Sequence, residues 1–570
     1  MSKQLAETIR KRLEKETGTI YKPHAANIRF ALAFPNTYYI GMSNLGFQVV
    51  YRLLNETEGA VCERVFLPDA DDMADLLRTN EPLISMESQM PVRNFDVLAF
   101  SISYELDYLN VLKILSLSKI SELPEDRGPD QPLVIAGGAA VTFNPETLAP
   151  FFDAFIIGEA EELIKEMVEI LRRPNDRDAI LEALAQVEGI YIPKFYHPSY
   201  KDDGTLSGYK VTHGAPERIR RRWVRNLNLY NPASVIQTPE TEFSNMILAE
   251  IARGCGRQCR FCVAGHIYRP PRPRSPESVL AGIKASEHSA RQTRVGLVSA
   301  SVFDHPSSLL ICQSLIEQNR LFSISSTRLD TLNRDIVRAL HAGGHETLTL
   351  APEAGSERLR LVINKPISDE AILNATAIAW DGGFRSLKLY FMVGLPTEEA
   401  KDVYAIIHLV TKIAEAFKWR RLIVSASCFV PKPWTPFQWC SMEHEKELSE
   451  KLTTIRRALR TVKHVNVSCE SAREAVVQGI LARGDRRLKE ILLLMHREGL
   501  SWRKAFENAQ ISPEFYAHRQ RHKDEIFPWD HIHIGVAKAY LWAEYERAMM
   551  AAPTEECLVG VCRRCGVCHT

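Results

Sequence analysis

The stretch RGCGRQCRFC, residues 253–262, contains three cysteines with the spacing C-x3-C-x2-C. These are Cys255, Cys259 and Cys262, and thiolates this close along the chain can ligate only one metal centre. Three soft sulfurs favour an iron–sulfur cluster or zinc. A four-iron cluster usually takes four cysteines, but the next cysteine is Cys312. We therefore expect one iron of such a cluster to stay open for a small molecule.

Zinc and free thiols are the simpler interpretations of the same three cysteines. Zinc prefers four closed ligands, or three ligands plus water, and usually takes paired C-x2-C units. Three reduced thiols in a turn need no metal. The spacing alone does not distinguish a cluster from zinc or free thiols. The sequence around the loop is needed to choose among them.

Strand-like and helix-like segments alternate from residue 246 to about residue 430. This order predicts a partial (β/α)6 barrel, an open relative of the β/α barrel, with the cysteine loop after its first strand. The chemistry of such barrels lies at the carboxyl ends of the strands. The predicted strands are residues 246–251, 295–299, 322–326, 347–350, 387–393 and 422–427.

The first 190 residues also alternate between short apolar strands and helices. This pattern predicts a doubly wound, flavodoxin-like α/β domain, so the chain as a whole belongs to the α/β class. Such sheets bind ligands beyond the carboxyl ends of their strands. Ser101 follows one predicted strand, and the pair Gly137 and Gly138 follows another, where a bare backbone lets a ligand approach closely. A glycine pair that merely turns the chain is the alternative.

These patterns divide the chain into five predicted segments. The α/β domain covers residues 1–190, a linker with short strands covers 191–245, and the barrel covers 246–430. A mostly helical region covers 431–550, and a cysteine-rich tail covers 551–570.

The overall composition excludes several classes of protein. The 570 residues carry 71 Lys and Arg against 70 Asp and Glu, a formal net charge of +1, so we expect no bulk binding of nucleic acid. No run of about 18 apolar residues is present, so no membrane span is expected. The start lacks an apolar signal core, and the cysteines cluster as metal ligands do. We therefore expect a cytoplasmic protein.

The cysteine loop and several later motifs resemble the radical S-adenosylmethionine superfamily. In that superfamily the open iron of a [4Fe–4S] cluster binds the amino and carboxylate groups of S-adenosylmethionine. An electron from the cluster then breaks the sulfonium and yields a 5′-deoxyadenosyl radical. The later motifs are SSTRLD (325–330), LAPEAGSERLR (350–360), INKPIS (363–368), KLYFMVGLPTE (388–398) and FVPKPWTPFQW (429–439). The resemblance covers nearly the whole chain.

The resemblance also implies cofactor contacts at successive strand ends. Phe261 fills the place of the aromatic residue that usually precedes the third cysteine. Ser299 stands where many members carry a Gly-Gly-Glu motif that meets the methionine amino group, so the chain departs from the pattern there. Arg328 is expected to pair with a carboxylate, Glu353 to accept from ribose hydroxyls, and Gly394 to lie near the adenine. An electron donor such as flavodoxin or ferredoxin is the implied partner.

The first 190 residues resemble the cobalamin-binding domain that precedes the barrel in many members. The matching features are Ser101, Gly137, Gly138 and GEAEEL at 158–163. Many such domains carry Asp-x-His-x-x-Gly with the histidine bound to cobalt, whereas PNTYYIGMSNLG at 35–46 has no histidine. Either cobalamin binds without a protein ligand, or the domain kept the fold and lost or changed the ligand.

Four further cysteines lie within twelve residues in the last segment. They are Cys557, Cys562, Cys565 and Cys568, with the spacing C-x4-C-x2-C-x2-C. Four thiolates close a site completely, which suits an auxiliary iron–sulfur cluster or structural zinc. A redox-active tail without metal is the third alternative.

The sequence therefore predicts an enzyme that cleaves S-adenosylmethionine reductively at the first three cysteines. With cobalamin present, the expected outcome is methylation of an unactivated carbon in a substrate that the sequence does not identify. A methylthiotransferase acting on tRNA or a ribosomal protein is an alternative, but such enzymes carry cluster cysteines in the first domain, where this chain has only Cys62. A non-enzymatic iron–sulfur redox sensor is the second alternative.

Overall fold

The first part of the chain forms a six-stranded sheet. The structure is a computed structural model, and it describes residues 2–173, 176–288 and 294–569. The strand order is β2-β1-β3-β4-β5-β6, and all neighbours are parallel except β5 and β6. The strands are β1 (Ile28–Phe34), β2 (Ala60–Phe66), β3 (Val97–Ser101), β4 (Leu133–Gly137), β5 (Ala154–Ile156) and β6 (Ile190–Tyr191). The parallel order confirms the predicted doubly wound sheet.

Helices alternate with these strands. They are α1 (Lys3–Leu13), α2 (Tyr38–Met42), α3 (Leu45–Glu56), α4 (Ala70–Thr79), α5 (Tyr108–Leu117), α6 (Ala139–Phe143), α7 (Leu163–Leu171) and α8 (Arg177–Leu184). Because the sheet interior is covered, β3 and β4 are buried along their length and become partly exposed only at their last residues, Ser101 and Gly137. The two strand ends are paired in register, so they lie side by side at the carboxyl edge.

The remaining strands form a barrel-like pair of sheets and three short ribbons. They are β7 (Tyr196–Tyr200), β8 (Leu206–Val211), β9 (Ile219–Arg220), β10 (Ile247–Glu250), β11 (Ala252–Arg253), β12 (Arg272–Pro273), β13 (Val295–Val298), β14 (Phe322–Ser323), β15 (Thr347–Glu353), β16 (Ser386–Val393), β17 (Arg421–Cys428), β18 (Val465–Cys469) and β19 (Ile532–His533). The parallel sheets β10-β13-β14 and β15-β16-β17-β18 are linked by a bridge between Thr327 and Leu350. The six predicted barrel strands are present, and β18 adds a seventh.

Helices cover the outside of the barrel and fill the region after it. They are α9 (Ala264–Ile267), α10 (Pro276–Ala285), α11 (Ser308–Glu317), α12 (Arg334–Ala342), α13 (Glu357–Val362), α14 (Asp369–Asp381), α15 (Ala400–Ala416), α16 (Glu445–Leu459), α17 (Ala472–Ala482), α18 (Lys489–Glu498), α19 (Trp502–Ala509) and α20 (Lys538–Met549). None of the helices in the described ranges is long and apolar enough to cross a membrane.

The last third of the chain shares a core with the first sheet. Trp439, Trp529 and Leu541 are buried in the same apolar cluster as β1, β3 and β4, whereas the barrel strands enclose a separate cluster. The short strand β19 also pairs with β9, which joins the end of the chain to the linker. The division into five segments therefore stays a prediction.

Candidate functional site

The three-cysteine loop leaves the first barrel strand and is closed by a two-stranded ribbon. Strands β11 and β12 pair antiparallel on either side of it. At Gly254 the backbone has φ +83°, and a side chain there would collide with the Tyr268 carbonyl, so the turn requires glycine. Cys255, Cys259 and Cys262 are half-buried on this loop. Burial raises the pKa of the Cys262 thiol to about 12.

The spread of the sulfurs distinguishes a cluster from a single ion. Among the described residues, no three cysteine sulfurs lie within 4.8 Å of one another. One zinc ion, with Zn–S bonds of about 2.3 Å, brings its tetrahedral sulfurs to about 3.8 Å from one another. A cluster instead distributes its cysteines over several irons. The donor set of this loop therefore fits an iron–sulfur cluster.

Arg328, which follows the third barrel strand, approaches the cysteine loop. Its Nη1 is 3.7 Å from the Cys259 sulfur, and its Nε and Nη2 donate to Asp330 at 2.9 and 2.8 Å. Although burial opposes the charge, Asp330 and the Cys259 thiol raise the pKa of Arg328 above its ordinary value. The guanidinium thus places a positive charge beside Cys259, and two of its nitrogens are already hydrogen-bonded to Asp330.

Three other predicted contacts have local structural roles. Phe261 packs against a small apolar cluster that includes Val362 and Leu395. Glu353 has φ +69°, and its carboxylate lies 3.1 Å from Lys365 Nζ. Their part in binding S-adenosylmethionine stays a prediction.

Gly394 likewise has a structural reason to be glycine. Its φ is +81°, and an added Cβ would lie 2.6 Å from Leu448 Cδ2. Its N–H donates to Glu398 Oε1 at 2.8 Å. The turn geometry explains this residue without a nearby adenine.

A cavity of about 460 Å³ separates the carboxyl edge of the first sheet from the barrel. Ser101, Gly137 and Gly138 line it from the sheet, and Gly254 and Ser299 line it from the barrel. Most of its wall is apolar and comes from β1, α3, β4 and α7. These apolar side chains include Leu32, Val49, Leu53, Ile135, Ile164 and Met167. Residues predicted from two separate domains therefore meet at one site.

The two glycines of the pair differ in what they do. Gly138 has φ +116°, and a side chain there would collide with the Ile102 carbonyl, so the turn itself requires glycine. At Gly137 an added Cβ would meet its nearest neighbour, Ile156 Cβ, at 3.6 Å, which is ordinary contact. The missing side chain of Gly137 therefore leaves space at the cavity wall.

An ion-pair network around Arg253 joins the two domains beside the cavity. Its guanidinium contacts Glu159 at 3.0 Å, Glu161 at 2.7 Å and Glu250 at 2.8 Å. Burial alone raises the pKa of Glu159, but Arg272 and Arg253 outweigh it and hold that pKa below 4.5. The first two glutamates belong to the GEAEEL segment, which sequence reasoning singled out without finding its partner. The network fixes the cysteine loop against the first sheet.

The tail also contacts the cysteine loop. Gln258 Nε2 donates to the Glu555 carbonyl at 2.6 Å, and Arg257 Nη1 lies 2.7 Å from Glu556 Oε1. Buried Arg260 donates to the Ala552 carbonyl at 2.7 Å. The sequence gives no sign of these contacts, because about 300 residues separate the partners.

The chain matches two family models, each at the position that the fold suggests. Residues 46–193 match the model for the N-terminal part of radical SAM proteins, and residues 249–410 match the model for the radical SAM superfamily. The chain belongs to the radical S-adenosylmethionine superfamily. It is therefore a radical S-adenosylmethionine enzyme with a [4Fe–4S] cluster and S-adenosylmethionine as its cofactors.

Two relatives are similar to this chain in sequence. The uncharacterized protein MJ0966 of Methanocaldococcus jannaschii is 32% identical over 464 residues, which are 81% of this chain and 90% of the relative. The two proteins belong to one family. The uncharacterized methyltransferase PH0819 of Pyrococcus horikoshii is 25% identical over 291 residues, which are 49% of this chain and 58% of that protein.

Two solved structures resemble the fold distantly. The radical S-adenosylmethionine methyltransferase TsrM from Kitasatospora setae, solved with cobalamin and a [4Fe–4S] cluster, has a TM-score of 0.49 and 12% identity, with 75% of this chain and 76% of TsrM covered. The cobalamin-dependent enzyme OxsB, solved with aqua-cobalamin, has a TM-score of 0.48 and 15% identity, with 68% and 52% covered. Values this low carry no conclusion about function.

Proposed function

We propose that this enzyme methylates an unactivated carbon of a substrate bound in the cavity, with cobalamin held against the carboxyl edge of the first sheet. The observation that carries the proposal is the cavity itself. Its sheet wall contains Ser101 and Gly137, and its barrel wall contains Ser299 and Gly254, the residue before Cys255. A ligand on the sheet edge thus lies beside the radical cluster.

The residues at the sheet edge fit a large, flat ligand. Gly137 leaves space at the wall, and the apolar side chains around it suit the face of a macrocycle. No histidine is among the described residues that line the cavity, so cobalamin would bind there without a protein ligand on cobalt. The cavity volume of about 460 Å³ accommodates the reacting part of such a cofactor, and the rest would extend beyond it.

The chain's own residues bind, orient and exclude water rather than exchange protons. When bound, the cluster supplies the electron that cleaves S-adenosylmethionine, and cobalamin supplies the methyl group. Arg253 and its glutamates hold the two walls together, and the apolar lining keeps water from the reacting carbon. The charged groups at the rim neutralise one another, so none of them is assigned as a general acid or base.

Methyl transfer is further supported by the name of the Pyrococcus relative, a methyltransferase. The apolar lining favours a substrate with an apolar part at the reacting carbon. We place the enzyme in the reducing cytoplasm, where a flavodoxin or ferredoxin supplies electrons. None of the twelve cysteines, each within the described ranges, is in a disulfide bond, which agrees with that compartment.

The test is an anaerobic assay of the reconstituted enzyme with S-adenosylmethionine and a strong reductant, with and without added cobalamin. We expect two products, 5′-deoxyadenosine from the radical step and S-adenosylhomocysteine from methyl donation. The second product should form only with cobalamin. Equal 5′-deoxyadenosine with and without cobalamin, and no S-adenosylhomocysteine in either case, would contradict the proposal.

A cavity-filling variant tests the location. Gly137→Leu places a side chain into the space at the sheet wall, so cobalamin binding, read from its visible absorption band, should be lost. Ala281→Leu, on the exposed face of α10, is the control and should bind cobalamin as the unchanged protein does. Unaltered binding by Gly137→Leu would exclude the sheet edge as the cobalamin site.

A further inference from the structure

The tail carries four cysteines that the radical chemistry does not use, and it is anchored to the radical-cluster loop. Besides the contacts of Arg257 and Gln258 with the tail, Arg260 donates to Thr554 Oγ1 at 2.8 Å. A Cβ added to Gly256, which adjoins Cys255, would lie 4.0 Å from the backbone carbonyl oxygen of Cys557. The first tail cysteine is therefore a direct neighbour of the radical-cluster loop.

The four tail thiols lie close together. The Cys557 and Cys562 side chains are within hydrogen-bond reach of each other, and Cys565 and Cys568 follow within six residues of Cys562. Arg564 Nε lies 3.3 Å from the Cys562 sulfur, in the same way that Arg328 approaches Cys259 in the radical loop. Convergent thiols next to a guanidinium form a ligand set for a metal centre rather than four unrelated side chains.

The separation of the tail sulfurs favours a cluster over zinc. In the part of the chain that the structure describes, no three cysteine sulfurs approach one another within 4.8 Å, at either site. The same holds for the three sulfurs of the radical loop. One surface group in the described ranges is compact enough to hold a single ion. It consists of His444, Glu514 and His518. By this measure the tail sulfurs are not packed as tightly as a single zinc ion requires.

One edge of the tail site faces solvent, and the other faces the protein. The segment between the first two tail cysteines exposes Leu558, Val559 and Val561. Cys565 is buried, and its carbonyl accepts a hydrogen bond from Ala537 N–H at 3.0 Å. A centre in this position is accessible to an external protein on one side and adjoins the radical-cluster loop on the other.

We propose that Cys557, Cys562, Cys565 and Cys568 hold a second iron–sulfur cluster through which electrons enter the radical cluster. A reduced flavodoxin or ferredoxin loses one electron, which passes by way of the tail to the radical cluster and to S-adenosylmethionine, whose C5′–S bond breaks. No proton or further co-reactant is needed. The site does not depend on methyl transfer, so it stands whether or not cobalamin is the methyl carrier.

Metal analysis of anaerobically reconstituted protein tests the site. Cys562→Ser, at the more exposed end, and Cys565→Ser, at the buried end, should each lower the bound iron by about two to four atoms per chain, with matching loss of sulfide. The radical cluster should keep its electron paramagnetic resonance signal. Cys469→Ser changes a half-buried cysteine away from both sites and should lose no iron. If Cys565→Ser fails to fold, Cys562→Ser still decides the result.

Comparison of reductants tests the electron path. With reduced flavodoxin, the tail variants should form 5′-deoxyadenosine at least about tenfold more slowly than the Cys469→Ser control, whereas a small chemical reductant should restore most of the rate. One zinc per chain that disappears with the tail cysteines would overturn the proposal. Unchanged iron in both tail variants, or iron loss with equal rates from flavodoxin, would overturn it as well. Zinc that disappears only with His444→Ala belongs to the surface group, and the proposal then stands on the iron result.

Discussion

The radical-cluster loop and the tail lie side by side, but they hold their cysteines in different ways. The loop has three cysteines, one strand of a two-stranded ribbon on each side, and arginines that connect it to the first sheet and to the tail. The tail has four cysteines on mostly irregular backbone with one exposed edge. An incomplete set of ligands in a rigid setting leaves a position for a reactant. A complete set at the surface leaves none, which suits electron transfer.

The largest effect should come from breaking the incomplete site. Cys259→Ser removes one of three ligands, so the cluster should be lost and 5′-deoxyadenosine formation should fall to background. The tail variants, by contrast, should retain activity with a small chemical reductant. The measurement is product formation under anaerobic conditions, and a Cys259→Ser protein that still cleaves S-adenosylmethionine would remove the basis of the comparison.

The next effect concerns the link between the two sites. Arg260 is fully buried and bonds to Glu544, to two carbonyls of the barrel and to the tail. Arg260→Met removes the shared donor. Glu544 keeps Thr554 and Arg547, but the Val362 and Ala552 carbonyls lose their bond to the guanidinium, so the change should cost about 3 kcal/mol of stability. Thermal denaturation of the anaerobic protein measures it, and the exposed Arg563→Met is the control. If Arg260→Met lost no more stability than the Arg563→Met control, the tail would not be anchored through Arg260.

A smaller effect is expected where the loop meets the first sheet. In Arg253→Gln, Glu159 keeps Arg272 and Glu250 keeps Arg274, so mainly Glu161 loses its partner. The free energy of unfolding should fall by about 2 kcal/mol, and the cavity should bind cobalamin more weakly. Arg218→Gln, an exposed arginine, should change neither. Full cobalamin affinity in Arg253→Gln would show that the network does not shape the cavity.

The smallest effects should come from the arginines that approach sulfur at each site. Arg328→Gln removes a positive charge 3.7 Å from Cys259, so the reduction potential of the radical cluster should become more negative. Arg564→Gln should shift the tail potential in the same direction and leave the radical cluster unchanged. Redox titration followed by electron paramagnetic resonance separates the two signals. If Arg564→Gln changed only the reduction potential of the radical cluster, Arg564 would not lie at the tail site as proposed.

Sequence patterns predicted the parallel sheets well because buried parallel strands are apolar throughout. They missed β2, since Glu63 and Arg64 interrupt its apolar pattern. In the folded chain both are buried, and Arg64 pairs with Glu16 and Glu87. They also missed β18, a short strand that alternates partly buried and exposed residues after a long helix.

The candidate site was predictable where it depends on local spacing and unpredictable where it depends on distant pairs. The cysteine sets and the glycine pair are visible as motifs, and strand topology implies that Ser101 and Gly137 meet. The partners of Arg253 and Arg260 are not visible, because burial of a charge depends on which distant carboxylate or carbonyl reaches it.

The radical chemistry of this enzyme requires that the cluster at Cys255, Cys259 and Cys262 has an open iron that binds S-adenosylmethionine. The most direct measurement is electron–nuclear double resonance on the reduced Cys562→Ser protein, with S-adenosylmethionine labelled by ¹⁵N in its amino group. The tail variant limits the spectrum to one cluster. The account predicts a direct coupling between the cluster and the labelled nitrogen. A reduced four-iron cluster whose spectrum shows no such coupling, and no change when S-adenosylmethionine is added, would contradict it.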